Sequence, residues 1–206
     1  MFLGAGILCC MGTFYLHMYM GSAQVSDEGR MGYKEQILAD MHTVRPQEGE
    51  FYRIETDHTS TNAMLTQDMP SVSCFLSTVS GSIMDFYEFA GIDRSVASEL
   101  PYERLGIRNL LSVRYFLQNE KNSDDHAFVD QGLLAGYQKA GEENGYSIYE
   151  NENYLHMGTV FTNYMKHSEY EKLSEEEQDQ VLLFALVMED DKTAELQKTE
   201  GITELF

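Results

Sequence analysis

Three residues that together could hydrolyse a bond crowd into one short stretch: Asp57, His58 and Ser60. A Ser-His-Asp apparatus is defined by geometry, and its members normally come from separate parts of a chain. No G-x-S-x-G nucleophile elbow accompanies them, so turn chemistry is the better reading of the cluster. The remaining body histidines, His42, His126, His156 and His167, show neither H-E-x-x-H nor another zinc-ligand spacing. Asp124, Asp125 and Asp130 miss the EF-hand register, and no bidentate Glu follows at its twelfth position. Glu175, Glu176 and Glu177 complement a helix macrodipole. Neither G-x-G-x-x-G nor G-x-x-x-x-G-K-[ST] occurs. These residues therefore point to no catalytic group, no metal and no cofactor.

Charge narrows the partners. The 206 residues carry 14 Lys+Arg against 34 Asp+Glu, a net charge of −20. Nucleic acid is excluded on that balance, because phosphate backbones are bound through Lys and Arg. An anionic membrane surface is disfavoured for the same reason. With 43% apolar and 12% aromatic residues, the chain has the material for a packed core.

The charges begin only at Asp27, and the head MFLGAGILCCMGTFYLHMYM holds none. A bilayer-crossing helix needs about 20 predominantly apolar residues, which residues 1–20 supply as a lipid-facing segment. Gly4, Gly6 and Gly12 suit close packing in membranes, and Tyr15 and Tyr19 suit an interface. Residues 1–24 are expected to form a transmembrane helix, with His17 as a packing or interfacial residue. Two other readings stay open. Gly21-Ser22-Ala23 offers a signal-peptide cleavage site, although no basic n-region precedes it, and a buried core helix is the third. Cys9 and Cys10 lie in the apolar run and Cys74 stands alone in the body, so no disulfide framework is expected.

Residues 25–206 are expected to form one mixed helix and strand domain, α/β or α+β in class. Tyr33, Ile37, Leu38 and Met41 share a helical face over Gly29 to Met41. Phe51 to Thr56 is aromatic and β-branched, hence a strand. Asp57 to Ser73 is a polar loop. Ser77 to Ala90 carries Ile83, Phe86, Tyr87 and Ala90 at helical spacing, and Gly91 fits a left-handed C-cap. Leu110 to Leu117 is a buried strand, followed by a polar turn over Gln118 to Asp125. Ser147 to Glu150 and Thr159 to Tyr164 are further strands. Ser174 to Glu177 is a capping box whose helix continues through Val181 to Met188. The alternation beyond Thr199 predicts the start of another strand, and the domain is expected to be cut at its C-terminal end.

The order of these segments carries a resemblance. FYRIE at Phe51 to Glu55 is followed by Asn62, SVSCFLS at Ser71 to Ser77 and DFYEFAGI at Asp85 to Ile92. LLSVRYFL at Leu110 to Leu117, IYENENYLHMGTVFTNY at Ile148 to Tyr164 and LSEEEQDQVLLFALV complete the series. It resembles the bacterial YfhO family of polytopic membrane proteins over most of Phe51 to Val187. The resemblance implies a GT-C-type glycosyltransferase parent in the cell membrane. Such a parent would add sugars to envelope polymers such as lipoteichoic acid from a lipid-linked donor. It implies an extracytoplasmic place for this body, with the catalytic part lying elsewhere, so this chain is expected to be non-catalytic. Residues matching the family pattern are Arg53, Asn62, Ser77, Tyr115 and Asn151. Their expected roles are structural, Arg53 against an acid and Asn62 and Asn151 on loop backbone, with glycan contact as the alternative. A singly anchored envelope-binding module without an enzymatic parent is the second functional reading. A secreted hydrolase built on Asp57, His58 and Ser60 is the third.

Overall fold

The computed structural model describes residues 2–25, 35–58, 61–120, 135–196 and 201–205. Residues 29–34 of the helix expected over Gly29 to Met41 lie outside them, while 35–38 are helical as expected; Ser60, Asp124, Asp125, His126 and Asp130 also lie outside. The chain divides into two compact units, Met1–Ala39 and Asp40–Phe206.

The first unit holds helix α1 (Phe2–Val25), 24 residues without a charge. Phe14, Tyr15, Leu16 and Tyr19 are exposed on it, and the Thr13 hydroxyl donates to the Cys9 carbonyl at 2.8 Å. Among the described residues no helix is long and apolar enough to cross a membrane, so the expected transmembrane helix at 1–24 is not supported. The helix is long, but Gly4, Gly6, Gly12, Thr13, Tyr15, His17 and Tyr19 dilute its apolar character.

The second unit is a mixed α+β body. Its strands are β1 (Arg53–Thr56), β2 (Cys74–Phe75), β3 (Ala97–Ser98), β4 (Val113–Asn119), β5 (Tyr137–Glu143), β6 (Tyr146–Asn151), β7 (Asn163–Lys166), β8 (Ala185–Met188) and β9 (Thr203–Glu204). Its helices are α2 (Ala63–Thr66), α3 (Gly81–Phe89), α4 (Leu105–Leu110), α5 (His167–Tyr170), α6 (Glu175–Val181) and α7 (Thr193–Leu196). The main sheet has the order β1-β4-β6-β5, with β1 parallel to β4 and the other two pairs antiparallel. β2 and β3 form a separate antiparallel ribbon. A third sheet, β8-β7-β9, is parallel throughout.

Local chemistry explains most boundaries. Gly91 adopts φ +66°, the Ile92 amide bonds the Tyr87 carbonyl and the Gly91 amide bonds that of Glu88, a Schellman end for α3. The helix begins at Gly81, four residues later than the spacing predicts, because Ser80 is extended. Ser174 and Glu177 form the expected reciprocal capping box on α6. Asn144 and Gly145, at φ +52° and +77°, make the two-residue turn joining β5 to β6, the chemistry of a type I′ hairpin.

Two expected elements are corrected. The strand predicted from Leu110 starts at Val113, since Leu110 ends α4 and Ser112 turns the chain at φ +59°. The helix predicted to run to Met188 stops at Val181, and Ala185–Met188 pairs with β7 instead. Apolar continuity cannot distinguish a buried helix from a buried strand, and here the free flank of β7 takes the segment.

The fold turns on an ion pair with no solvent exposure. Arg108 on α4 reaches Glu55 on β1, Nε to Oε2 at 2.5 Å and Nη2 to Oε1 at 2.9 Å. Its other donors reach the carbonyls of Pro101 (2.7 Å), Tyr102 (2.9 Å) and Leu100 (3.0 Å). All five guanidinium N–H groups are thereby used. A second pair, Arg104 to Asp179 at 2.7 Å, clamps α4 to α6, and Asp179 also accepts from the Gly106 amide at 3.0 Å. Around these pairs Tyr87, Ile107, Met165, Tyr170, Val181 and Leu182 form the main apolar cluster.

Two substitutions test this frame by urea unfolding. Glu55→Ala leaves Arg108 charged and unpaired in the core and is expected to cost about 3–5 kcal/mol. Gly106→Ala sets a Cβ 2.3 Å from the Asp179 carbonyl oxygen, so the α4–α6 contact must shift. The expected loss is about 1–3 kcal/mol, the usual range for overpacking.

Candidate functional site

The first residues of β4 and the segments leading into β1 and out of β6 assemble an aromatic site. Parallel pairing sets Arg53 opposite Val113 and Ile54 opposite Tyr115, while antiparallel pairing sets Tyr115 opposite Glu150. Residues 50–53, 114–115 and 150–157 are thereby brought to one end of the sheet. Arg114 is the hub. Its guanidinium lies over the rings of Tyr52 (5.0 Å), Tyr115 (5.1 Å) and Tyr154 (5.6 Å). It donates through Nε to Glu150 Oε1 at 2.9 Å, and its Nη1 stands 4.0 Å from Glu50. Tyr115 also donates to Glu150, at 3.3 Å. Tyr52 meets Tyr115 and Tyr154 edge to face, at 5.4 and 6.5 Å, and Tyr154 leans on His156 at 4.8 Å.

Two turns hold the outer walls. Gly49, at φ +86°, closes the turn in which the Glu50 amide bonds the Gln47 carbonyl. On the other side Asn151 is buried and donates to Asn109 Oδ1 at 2.6 Å and to the Val113 carbonyl at 3.2 Å. Its own Oδ1 accepts from the Asn153 amide at 2.9 Å. The Leu155 amide bonds the Asn109 carbonyl at 3.0 Å, so residues 151–155 are fastened to the end of α4.

Between these walls lies a pocket of about 220 Å³ lined by Gly49, Glu50, Phe51, Tyr52, Tyr154, His156 and Met157. It is smaller than the roughly 300–1,000 Å³ of drug-sized sites, a space for one small ring. Aromatic walls offer negative ring faces to weakly positive C–H groups. Glu50 and His156 supply hydrogen-bond acceptors and a donor at the rim. The chemistry suits a hydroxylated ring that is apolar on one face.

The electrostatics favour the neutral phenols of Tyr52 and Tyr115. Burial, reinforced by Tyr115, pushes the Tyr52 phenol up to about 12, and burial raises Tyr115 as well. Burial, the largest single influence, depresses Arg114, but the hydrogen bond to Glu150 together with the neighbouring Tyr115, Tyr154 and Glu150 moves it up.

Three family-pattern residues serve this site. Tyr115 is part of its floor and Asn151 fastens its loop. Arg53, expected against an acid, instead donates to the Leu111 carbonyl at 2.7 Å and lies 5.1 Å from the Phe51 ring. The other two lie elsewhere: Asn62 accepts from the Phe75 amide at 2.7 Å, and Ser77 sits exposed at a bend. Arg114, Tyr154 and Glu150 were not singled out from the sequence, since an arginine between two apolar residues carries no periodic signal.

Asp57 and His58 form no relay. The buried Asp57 carboxylate accepts from the Asn119 amide at 2.5 Å. His58 stacks on Tyr102 and points Nδ1 toward Glu99, 4.0 Å away. Among the described residues no group of three His, Cys, Asp or Glu could hold a metal ion. A groove of about 660 Å³ between α4 and α6 is rimmed by Glu103, Glu175 and Glu176, and its Arg104 is already paired with Asp179.

A sequence model of the bacterial membrane protein YfhO matches residues 2–204. No curated protein and no solved structure matches. The chain belongs to the YfhO family of bacterial membrane proteins.

Alkaline titration reads the burial of the site. The folded pKa of Tyr52 lies above its unfolded value of about 10, so its contribution is complete below that pH. It is lost as pH rises through about 12. In Tyr52→Phe, phenolate ultraviolet absorbance should show one phenol fewer near pH 12, while Tyr170, also raised to about 12 by burial, remains.

Proposed function

We propose that this YfhO-family chain is the sugar-contacting, non-catalytic part of a membrane protein that glycosylates the bacterial cell envelope. The observation that carries the reading is the aromatic pocket beside Arg114, with carboxylate and imidazole at its rim. In this reading the body lies outside the cytoplasm, and the charge-free α1 meets lipid through its exposed Phe14, Leu16 and Tyr19. The pocket would hold one sugar ring of an acceptor polymer or of a lipid-linked donor, while the parent's own chemistry proceeds elsewhere. The chain's net charge of −20 favours contact with a neutral sugar over contact with a polyphosphate backbone.

A singly anchored binding module with no enzymatic parent uses the same pocket. It is favoured by one feature, the 24-residue uncharged helix α1, whose exposed aromatic side chains could associate with lipid without crossing it. Neighbouring coding sequence separates the two: in-frame membrane spans on both sides support the enzyme, and a frame confined to these residues supports the module.

Saturation-transfer NMR of the full chain with neutral hexoses tests the pocket itself. Transfer to the sugar ring protons is expected, and Phe51→Ala with Tyr154→Ala should weaken binding by tenfold or more, about 1.4 kcal/mol. Transfer that is absent, or unchanged in the double variant, overturns the reading.

A further inference from the structure

A second surface lies on the β2–β3 ribbon and α3, and Arg53 lines both its groove and the flank of the aromatic site. Between Asp68 and Asp85 the chain has no charged residue, although acids and bases fill the body on either side. That stretch, Met69 to Met84, builds β2, the turn after it and the first residues of α3. It leaves large apolar side chains in solvent. Phe75, Leu76, Ile83 and Met84, joined by Val96 from the strand-ribbon turn, are 39–56% exposed.

These side chains belong to one face. Arg94 binds the Leu76 carbonyl at 2.9 Å, Ser98 Oγ at 2.9 Å and the Met84 sulfur at 3.8 Å, tying ribbon to helix. The Leu76 amide bonds the Val96 carbonyl at 3.1 Å. A groove of about 230 Å³, lined by Val72, Cys74, Ile83 and Phe86 among others, separates β2 from α3. Contiguous exposed apolar side chains on a soluble body mark a contact surface.

We infer that this face rests on the lipid bilayer, with Phe75, Leu76, Ile83 and Met84 entering the headgroup and acyl boundary of a zwitterionic leaflet. Charge complementarity selects that occupant. A chain of net charge −20 is repelled by anionic lipid, and an approach is cheapest where the surface has shed its acids. The exposed residues next to Phe75, Leu76 and Ile83 along the chain include Ser77, Thr78, Ser80 and Ser82, neutral hydroxyls that tolerate an interface, and the first acid after them is the exposed Asp85, directly after Met84. Arg94, beside the patch, has its guanidinium turned to carbonyl and hydroxyl oxygens at the rim, where it can also meet phosphate, and Arg53 lines the groove between β2 and α3. Family membership supplies the bilayer as a constant neighbour.

The chain has no tryptophan, so one introduced indole reports without background. Phe75→Trp and, as a control, Val160→Trp would each be placed in the full chain and reconstituted into phosphatidylcholine vesicles. Brominated phosphatidylcholine is expected to quench Phe75→Trp at least twofold, with its emission shifted to the blue. Val160→Trp should stay unquenched. Adding Ile83→Glu to Phe75→Trp should remove the quenching. Water-exposed emission from Phe75→Trp, equal quenching of both indoles, or quenching that survives Ile83→Glu overturns the inference. A blue shift without bromine quenching also overturns it and indicates a second copy of the chain on this face.

Discussion

The body of this protein depends on a charge pair that water never reaches. Glu55 sits on a strand of four residues, and Arg108 on a helix of six, each too short to be stable by itself. Burying either charge alone would be prohibitive, so each element is held where the other can satisfy it. Three backbone carbonyls from Leu100 to Tyr102 take the remaining donors of Arg108. One guanidinium thus fixes the strand, the helix and the loop before the helix in a single arrangement. The Arg104–Asp179 clamp extends that arrangement to α6 and the third sheet.

From this follows the position of the aromatic site. Once β1 is locked beside β4, Phe51 and Tyr52 arrive next to Arg114 and Tyr115 with no further choice of register. β6 then adds Glu150 opposite Tyr115, and the loop after it returns Tyr154 and His156 to the same end. The guanidinium of Arg114 is held by the Glu150 carboxylate with three tyrosine rings around it, so it organises the aromatic site. A rigid support of this kind lowers the entropic cost of binding a small, weakly held ring.

The two surfaces assigned to the body differ in their physical character. The aromatic pocket is lined in part by the polar Glu50 and His156. The face around Phe75 excludes charge over sixteen consecutive residues, Met69 to Met84. In the proposed reading the first surface would read sugar and the second would meet lipid, so the acidic body could approach a bilayer on its charge-free stretch.

Local chemistry was legible in the sequence wherever a few adjacent residues decide the outcome. The Ser174–Glu177 capping box, the left-handed Gly91 and the strand expected over Phe51 to Thr56 came from short-range pattern, and the structure shows them, with the strand beginning at Arg53. The family resemblance came from the order of segments and agrees with the family match over residues 2–204. The charge-free head was equally plain, but its glycines, tyrosines and histidine leave it short of the apolarity a membrane crossing demands. Contacts between distant segments were not legible. Ala185–Met188 became a strand because β7 had a free flank. Asp57 became a structural acceptor because Asn119 lay beside it. Arg114 became the centre of the candidate site because three tyrosines from three segments converge on it. Local propensity is written in neighbouring residues, whereas ion pairing, strand partnership and ring stacking depend on which remote segments share a place. That was decided by tertiary packing around Glu55 and Arg108.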